Sequence, residues 1–271
     1  MSSRKAKIIS IVSLKGGVGK TTSVISLGVA MSNLGKRVLL VDGNFSAPNL
    51  GLHLKVLDPD VTIQHVLDRK ANINDAIYRC GNFDLIPASV FYKAAKNPLK
   101  LKDKLKYLKR RYDVILIDSS PSLNNETLAS ILSADEIVVV ATPDYPTLSV
   151  SIKAIKTAKQ RGIPISGLIL NKVHDKDFEI SEQDIEETLE IPIMAKIPHD
   201  LNILKAVSEF IPSGISRPNS KSSLEFKMLA SNLIGEKFSP SIFQRLFTLG
   251  GILGPKRQDV NREIYYQSMF N

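Results

Sequence analysis

Two lysines and three glycines lie close together near the start of the chain, in the run Lys15-Gly16-Gly17-Val18-Gly19-Lys20-Thr21-Thr22. Glycines let backbone N–H groups converge on one anion, and a neighbouring lysine and hydroxyl suit phosphate and Mg²⁺. We expect Lys20 to reach the β- and γ-phosphates of a nucleotide, and the Thr21 hydroxyl to ligate Mg²⁺. The usual spacing G-x-x-x-x-G-K-[ST] is not met, because Leu14 stands where the first glycine belongs and a second lysine, Lys15, follows it. A glycine turn without a ligand is the alternative interpretation.

The elements on either side of this loop are those that a phosphate site needs. A β-branched run at 8–12 predicts a strand before the loop, and a helical pattern over 21–34 follows it and ends at Gly35. A helix that begins at the loop directs its first free N–H groups and the positive end of its dipole toward the anion. The glycines therefore lie in the context that gives such a loop its chemistry.

Short β-branched runs alternate with helical patterns along the rest of the chain. Predicted strands span 7–12, 37–42, 83–87, 112–118, 136–142, 165–171 and 193–197. Predicted helices span 21–34, 147–160, 181–190 and 222–237, and 211–223 is predicted as a loop rich in Ser, Pro and Asn. Runs such as 114–117 are apolar throughout, which is typical of parallel strands buried on both faces. The sequence therefore predicts an α/β fold of three layers, with a mostly parallel sheet flanked by helices.

Composition excludes several classes of protein. The 271 residues are 43% hydrophobic and 23% charged with a formal net charge of +9, which is typical of a chain that folds. The one cysteine, Cys80, excludes a disulfide within the chain and any metal or iron–sulfur site built from several thiolates of one chain. No run of 18 apolar residues is present, so no membrane-spanning helix is predicted. We expect a cytoplasmic protein, with or without a peripheral contact at the inner face of the cell membrane.

Three segments together resemble the deviant Walker A branch of P-loop ATPases, the ParA/MinD family, and within it the MinD-like proteins of archaea. They are the loop at 15–22, the switch I-like segment 41–50 and the Walker B and switch II-like segment 112–121. The resemblance covers most of 7–237. It implies a P-loop NTPase fold, ATP and Mg²⁺ as ligands, and an ATP-bound homodimer with two nucleotides at its interface. It further implies that Lys15 reaches the phosphates of the partner's ATP and that Asp118 holds Mg²⁺ through a water.

The resemblance also selects the site residues. Nucleotide contacts are expected from all of the loop, Lys15, Gly16, Gly17, Val18, Gly19, Lys20, Thr21 and Thr22, and from Asn171 and Pro198 near the adenine. The metal is assigned to Thr21 and Asp118, and the hydrolysis to Lys15, Lys20, Asp42 and Asn44. Each single residue has a simpler alternative. Asp118 could cap a helix, Asp42 could form a turn, and Asn171 and Pro198 could be turn residues.

Asn44 departs from the family pattern. The family commonly has Asp-x-Asp here, and the second Asp positions or activates the attacking water; this chain has Asp42-Gly43-Asn44. An amide keeps the shape and a hydrogen-bonding oxygen but loses the negative charge and the proton affinity of a carboxylate. Because positioning dominates phosphoryl transfer, we expect slow ATP hydrolysis rather than none.

Two further segments suggest a surface partner. Between Lys93 and Arg111 there are nine basic residues and one acidic residue, on a predicted helix whose apolar stripe is Leu101, Leu105, Leu108 and Tyr112. Such a stretch attracts DNA or anionic lipid, or is simply a solvated helix. In 242–253 there are seven large apolar residues, spelled in part Phe243-Gln244-Arg245-Leu246-Phe247, which resembles the C-terminal membrane-targeting helix of MinD proteins. The alternative is a segment that folds back on the domain or joins a protein interface.

We therefore expect an ATPase domain at 1–237 and a C-terminal tail at 238–271. The expected function is an ATP-dependent dimerisation switch in the positioning of cell components, of the septum-site type, which binds an anionic membrane surface through 242–253 and is stimulated by an unidentified protein partner. The alternatives are a ParA-like DNA partition ATPase that uses 93–111 on DNA, and an ATP-binding regulator with little hydrolysis.

Overall fold

The computed structural model describes residues 5–92 and 95–236, and within them eight strands form one sheet. The strands are β1 (Lys7–Val12), β2 (Val38–Gly43), β3 (Tyr78–Cys80), β4 (Phe83–Ile86), β5 (Val114–Ser119), β6 (Glu136–Ala141), β7 (Ile165–Val173) and β8 (Ile193–Pro198). Their order across the sheet is β3-β4-β2-β5-β1-β6-β7-β8. All neighbouring pairs are parallel except β3 with β4, which is antiparallel.

Helices cover both faces of the sheet. They are α1 (Lys20–Asn33), α2 (Leu50–His53), α3 (Ile63–Leu67), α4 (Leu101–Lys106), α5 (Asn125–Ser133), α6 (Tyr145–Gln160), α7 (Glu182–Leu189), α8 (Leu201–Ser208), α9 (Ser213–Ser216) and α10 (Lys221–Ile234). Apolar residues of α1 and α10 form the core on one face, and those of α3 to α7 form the core on the other. The predicted three-layer α/β fold is confirmed.

Several helix boundaries lie at glycine and serine residues that the sequence predicts as helix ends and starts. Gly35 and Gly162 have positive φ angles of 78° and 65° just past α1 and α6, as expected of glycine after a helix. The Ser181 hydroxyl accepts the Asp184 N–H at 3.1 Å and starts α7. The predicted strand at 112–118 is shifted: Tyr112 and Asp113 precede β5, which extends to Ser119.

Four predictions were wrong or incomplete. Strand β3 was not predicted, since three residues at a sheet edge carry no periodic pattern. The segment 211–223 is not all loop: it contains α9 and the start of α10. The last helix ends at Ile234 rather than at 237, because Gly235 takes a left-handed φ of 73° there. The basic stretch is helical only over Leu101–Lys106, after a short 3-10 turn at Pro98–Lys100, although its apolar stripe is buried as predicted.

The tail at 238–271, with its predicted amphipathic segment 242–253, lies outside the described residues, as does Lys93 at the start of the basic stretch. Within the described ranges, no helix is both long and apolar enough to cross a membrane.

Candidate functional site

The glycine-rich loop connects the carboxyl end of β1 to α1, at the centre of the sheet. Gly17 and Gly19 have φ angles of 77° and 100°, which residues other than glycine rarely adopt. A Cβ atom on Gly19 would lie 2.1 Å from Nδ2 of Asn171, so this position needs glycine for space as well. Since Lys20 is the first residue of α1, the free N–H groups of the helix and of the loop face the same concavity.

Lys20 turns its side chain back over this loop. Its Nζ donates to the backbone carbonyl of Lys15 at 3.2 Å, and only 7% of the residue is exposed. Burial lowers the pKa of Lys20, and the nearby Asp118 carboxylate opposes that shift. A buried ammonium with one neutral acceptor gains from an anionic partner, and a phosphate in the loop would supply it.

Two carboxylates lie side by side at the carboxyl ends of β2 and β5, where Asp42 is the register partner of Asp118. Asp42 is fully buried and accepts the backbone N–H groups of Asn44 and Leu50, both at 3.1 Å. Burial, and then the proximity of Asp118, raise the pKa of Asp42 well above its ordinary value. Burial also raises the pKa of Asp118 to about 6, against the opposing effects of Thr21 and Lys20.

The pair of Asp118 and Thr21 suits a divalent cation. The Thr21 hydroxyl donates to Oδ2 of Asp118 at 2.6 Å, so both oxygens lie at the end of the phosphate loop. The other carboxylate oxygen, Oδ1, is buried and has no hydrogen-bond partner among the described residues. Hydroxyl and carboxylate oxygens are the ligands that Mg²⁺ prefers, and a cation would offset the cost of burying this charge.

Asn44 follows β2 directly and is 8% exposed. Its Nδ2 donates to the carbonyl of Ala47, which fixes the amide so that its oxygen is the free end. That oxygen, Oδ1, is buried and accepts no hydrogen bond from any described residue. This oxygen can therefore accept a hydrogen bond from a water, but an amide cannot remove the water's proton.

Lys15, at the start of the loop, is half-exposed, and its Nζ lies 3.2 Å from Oδ1 of Asp144 in the same chain. Asp144 also caps α6 by accepting the Thr147 N–H at 2.9 Å. Both charged side chains are 41% exposed, and such pairs contribute at most about 1 kcal/mol. Lys15 can therefore exchange Asp144 for another anion at little cost.

The two residues expected near the adenine lie on neighbouring strands. Asn171, on β7, is buried and donates from Nδ2 to the carbonyl of Val18 at 2.6 Å, so it contacts the loop directly. Pro198 ends β8 and pairs with Val173 in the sheet. Thr22, the last loop residue, lines a shallow cleft between α1 and α8 together with Ile203.

The structure adds side chains that the sequence did not single out. The Nζ of Lys172 donates to the Gly17 carbonyl at 2.7 Å, and Lys172 itself has a φ of 58°. Ser46 hydrogen-bonds to the buried carboxylate of Glu126, which ties the segment after β2 to the start of α5. The sequence carries one weak indication of the Lys172 contact, since the neighbouring Asn171 was predicted to lie at the site. It carries no indication of the contact between Ser46 and Glu126, which are 80 positions apart.

The fold and the site define a P-loop nucleotide-binding protein. Residues 6–163 match the AAA domain family. The solved cell division ATPase MinD of Pyrococcus furiosus is 38% identical, with a TM-score of 0.79 over 83% of this chain and 97% of that one. MinD of Pyrococcus horikoshii, solved with Mg-ADP, is 35% identical, with a TM-score of 0.80 over 84% and 96% of the two chains. An uncharacterised ATP-binding protein of Methanocaldococcus jannaschii is 35% identical over 86% of this chain and 90% of its own length.

The chain therefore belongs to the MinD/ParA family of P-loop ATPases.

Proposed function

We propose that this protein is an ATP-dependent dimerisation switch that hydrolyses ATP slowly and attaches to an anionic membrane surface through its tail. The observation that carries the proposal is Lys15, a half-exposed ammonium at the mouth of the phosphate loop with a weak, exchangeable partner. The usual P-loop pattern binds its own nucleotide with the lysine before Ser or Thr, here Lys20, whereas a second protomer facing the loop would bring phosphates toward Lys15.

The geometry suggests a separate role in ATP binding and hydrolysis for each residue of the site. Lys20 and the loop N–H groups hold the β- and γ-phosphates, and Thr21 with Asp118 would hold Mg²⁺, which supplies electrostatic stabilisation of the transferring phosphoryl group. Asp42 lies beside Asp118 and fixes the backbone of the segment after β2. Asn44 orients the attacking water with its free amide oxygen. The Mg-ADP complex of the Pyrococcus horikoshii relative supports this choice of ligands.

The remaining parts of the proposal concern organisation and setting. We assign 1–237 to the ATPase domain and 238–271 to a tail whose segment 242–253 lies in the membrane interface, apolar side down. Two weak tails in one dimer bind far better than one, so dimerisation by ATP would control attachment. A role in cell division positioning, as for the named MinD relatives, and stimulation by a protein partner complete the proposal.

The test is the oligomeric state with a slowly hydrolysed ATP analogue and Mg²⁺. The unaltered chain should elute as a dimer, and Lys15→Ala should remain a monomer while its binding of the analogue stays within a few-fold. Lys55→Ala, at another exposed lysine, is the matched control and should dimerise normally. A full dimer of Lys15→Ala would contradict the role in trans.

A second candidate function, a DNA partition ATPase, is favoured by one observation. Lys102 and Lys106, in the basic stretch, are exposed and make no ion pair with a described residue. ATP turnover measured alone, with anionic vesicles and with plasmid DNA separates the two, since only the surface that is bound should change the rate. Stimulation by DNA and not by vesicles would replace the membrane proposal.

A further inference from the structure

The edge of the sheet where the parallel strands begin lies opposite the phosphate loop, and it collects a network of charged residues. Arg37, just before β2, makes a bidentate pair with Asp113, just before β5. At the start of β1, the Lys7 N–H donates to the Asp113 carbonyl at 3.1 Å. The neighbouring Ala6 N–H donates to the Lys109 carbonyl at 2.7 Å, which brings the end of the basic stretch to the same edge.

The carboxylates beside the starts of β1, β2, β5 and β6 are already neutralised. Four of them have a cationic partner there: Asp113 with Arg37, Asp135 with Lys109, Glu136 with Lys7, and Glu236 with Lys36. The Arg37 guanidinium lowers the pKa of Asp113, so this pair stays charged under ordinary conditions.

Beside β1 and β5, four exposed cations have no such partner. We call them the basic edge: Lys5, Lys106, Arg110 and Arg111. None of them makes an ion pair with a described residue; Arg111 stacks 5.7 Å above the ring of Tyr112. The basic edge is therefore a set of positive charges without internal compensation, on the side of the molecule away from the nucleotide.

The chain leaves the fold at this same edge. At the end of α10, the Leu233 carbonyl accepts a hydrogen bond from the Nζ of Lys7 at 3.0 Å, and three residues later Glu236 pairs with Lys36. The tail begins two residues after Glu236, and its apolar segment begins at Ile242. Six residues span at most about 20 Å when fully extended, so Ile242 lies within about 20 Å of Glu236, whose partner Lys36 is the neighbour of Arg37.

We propose that the basic edge contacts the anionic head groups of the bilayer into which the apolar segment 242–253 inserts, as a second membrane contact. The inference rests on the proposed membrane role of the tail and adds a surface to it. Positive charge beside a hydrocarbon-binding segment fits a lipid surface, which offers phosphates and an apolar interior together. A DNA duplex offers the phosphates but nothing for seven large apolar residues. Because the basic edge lies opposite the phosphate loop, lipid contact leaves the nucleotide face free for a second copy.

The test is co-sedimentation of the full chain with vesicles of phosphatidylcholine and phosphatidylserine, in ATP, Mg²⁺ and low salt. The variant is Lys106→Gln with Arg110→Gln. The control pair is Lys153→Gln with Lys156→Gln, in the middle of α6 and away from the edge. At about fivefold per basic residue near a charged membrane, the variant should bind about 25-fold more weakly, and the control should bind like the unaltered chain. On vesicles of phosphatidylcholine alone, all three should bind alike.

The outcomes separate the two proposals. Equal vesicle binding by the variant and the unaltered chain overturns the basic edge and leaves the tail's role standing. A variant that keeps vesicle binding but loses its shift of plasmid DNA assigns the edge to DNA and also overturns the proposal. If the unaltered chain fails to sediment with anionic vesicles, the proposed membrane function fails, and the basic edge with it. Since both pairs are on the surface, unfolding midpoints and ATP affinity should be unchanged in each.

Discussion

At the scale of residues, Asn44 is the departure from the family pattern that bears most on the proposed hydrolysis. Its buried amide oxygen can orient a water, but an amide cannot take the proton that a carboxylate at this position would accept. Asp42 is engaged with the backbone, and Asp118 accepts the Thr21 hydroxyl. In the proposed mechanism, position 44 therefore orients water without supplying a base.

Asn44→Asp should raise ATP turnover, by at most the scale of general-base catalysis, roughly 10² to 10⁴-fold. Steady-state phosphate release with saturating Mg-ATP measures it. Asn49→Asp is the matched control, because the Asn49 amide also donates to the Ala47 carbonyl but is exposed. Unchanged or slower turnover in Asn44→Asp would mean that this site activates water without a carboxylate at 44.

Lys20→Ala should weaken ATP binding by on the order of 100-fold or more. The ammonium would make charge-assisted hydrogen bonds of about 1.5–3 kcal/mol each to the β- and γ-phosphates, and the loop has no second buried cation to replace it. Titration calorimetry with the slowly hydrolysed analogue gives the affinity, with Lys102→Ala as an exposed control. Near-normal affinity in Lys20→Ala would remove the phosphate-loop assignment.

At the scale of elements, the sheet edge at β3 protects the single cysteine. Cys80 ends β3 and pairs with Phe83 of β4, and burial followed by the charge of Asp84 raises the pKa of its thiol to about 11. The thiolate, which is the reactive form, is therefore scarce at neutral pH.

The native protein should react with Ellman's reagent at pH 8 at least roughly tenfold more slowly than the urea-unfolded chain. The thiolate fraction falls about 100-fold when the pKa rises from about 9 to about 11, and the higher nucleophilicity of the more basic thiolate recovers part of that. Because Cys80 is the only thiol in the chain, the measured reaction rate is that of Cys80. Equal rates in the two states would mean that β3 is open in solution.

Local patterns explain which elements were predictable. The apolar strand runs, the loop glycines and the helix stops at Gly35 and Gly162 each depend on residues within a few positions, so they were found. The contact of Lys172 with Gly17 joins positions 155 apart, and that of Ser46 with Glu126 joins positions 80 apart. Such contacts exist only once the strand order is set, and a single sequence does not specify that order. The elements β3, α2, α3 and α9 were missed because three to five residues are too few to show a period, and α5 and α8, of nine and eight residues, were missed as well.

At the scale of the whole molecule, α10 is the last element of the described core. Phe226, Leu229 and Leu233 are all buried against α1 and the sheet. The contacts of Leu233 and Glu236 with the edge of the sheet are the last ones described along the chain.

A chain truncated after Glu236 should unfold within about 2 °C of the full chain and bind ATP equally well, while its binding to anionic vesicles is lost. A chain truncated after Asn219 is the contrasting variant, since each large buried side chain that it lacks is worth about 2–5 kcal/mol and it should not fold. Calorimetry and vesicle co-sedimentation measure the two effects. If the chain truncated after Glu236 still binds vesicles, the membrane contact lies in the domain alone.

The way α10 ends has a mechanical consequence. A pull on the chain beyond Glu236 is passed through Lys36 and Leu233 to the beginnings of β2 and β1, not to a surface loop. Strand β1 lies between β5 and β6 and runs about 20 Å from Lys7 to the loop that starts at its other end. Tension along its axis must shear hydrogen bonds on both sides at once, so the strand should behave as a stiff rod. The weakest contact on this path is the solvent-accessible pair of Lys36 and Glu236, so drag should open that pair before any part of the sheet gives way.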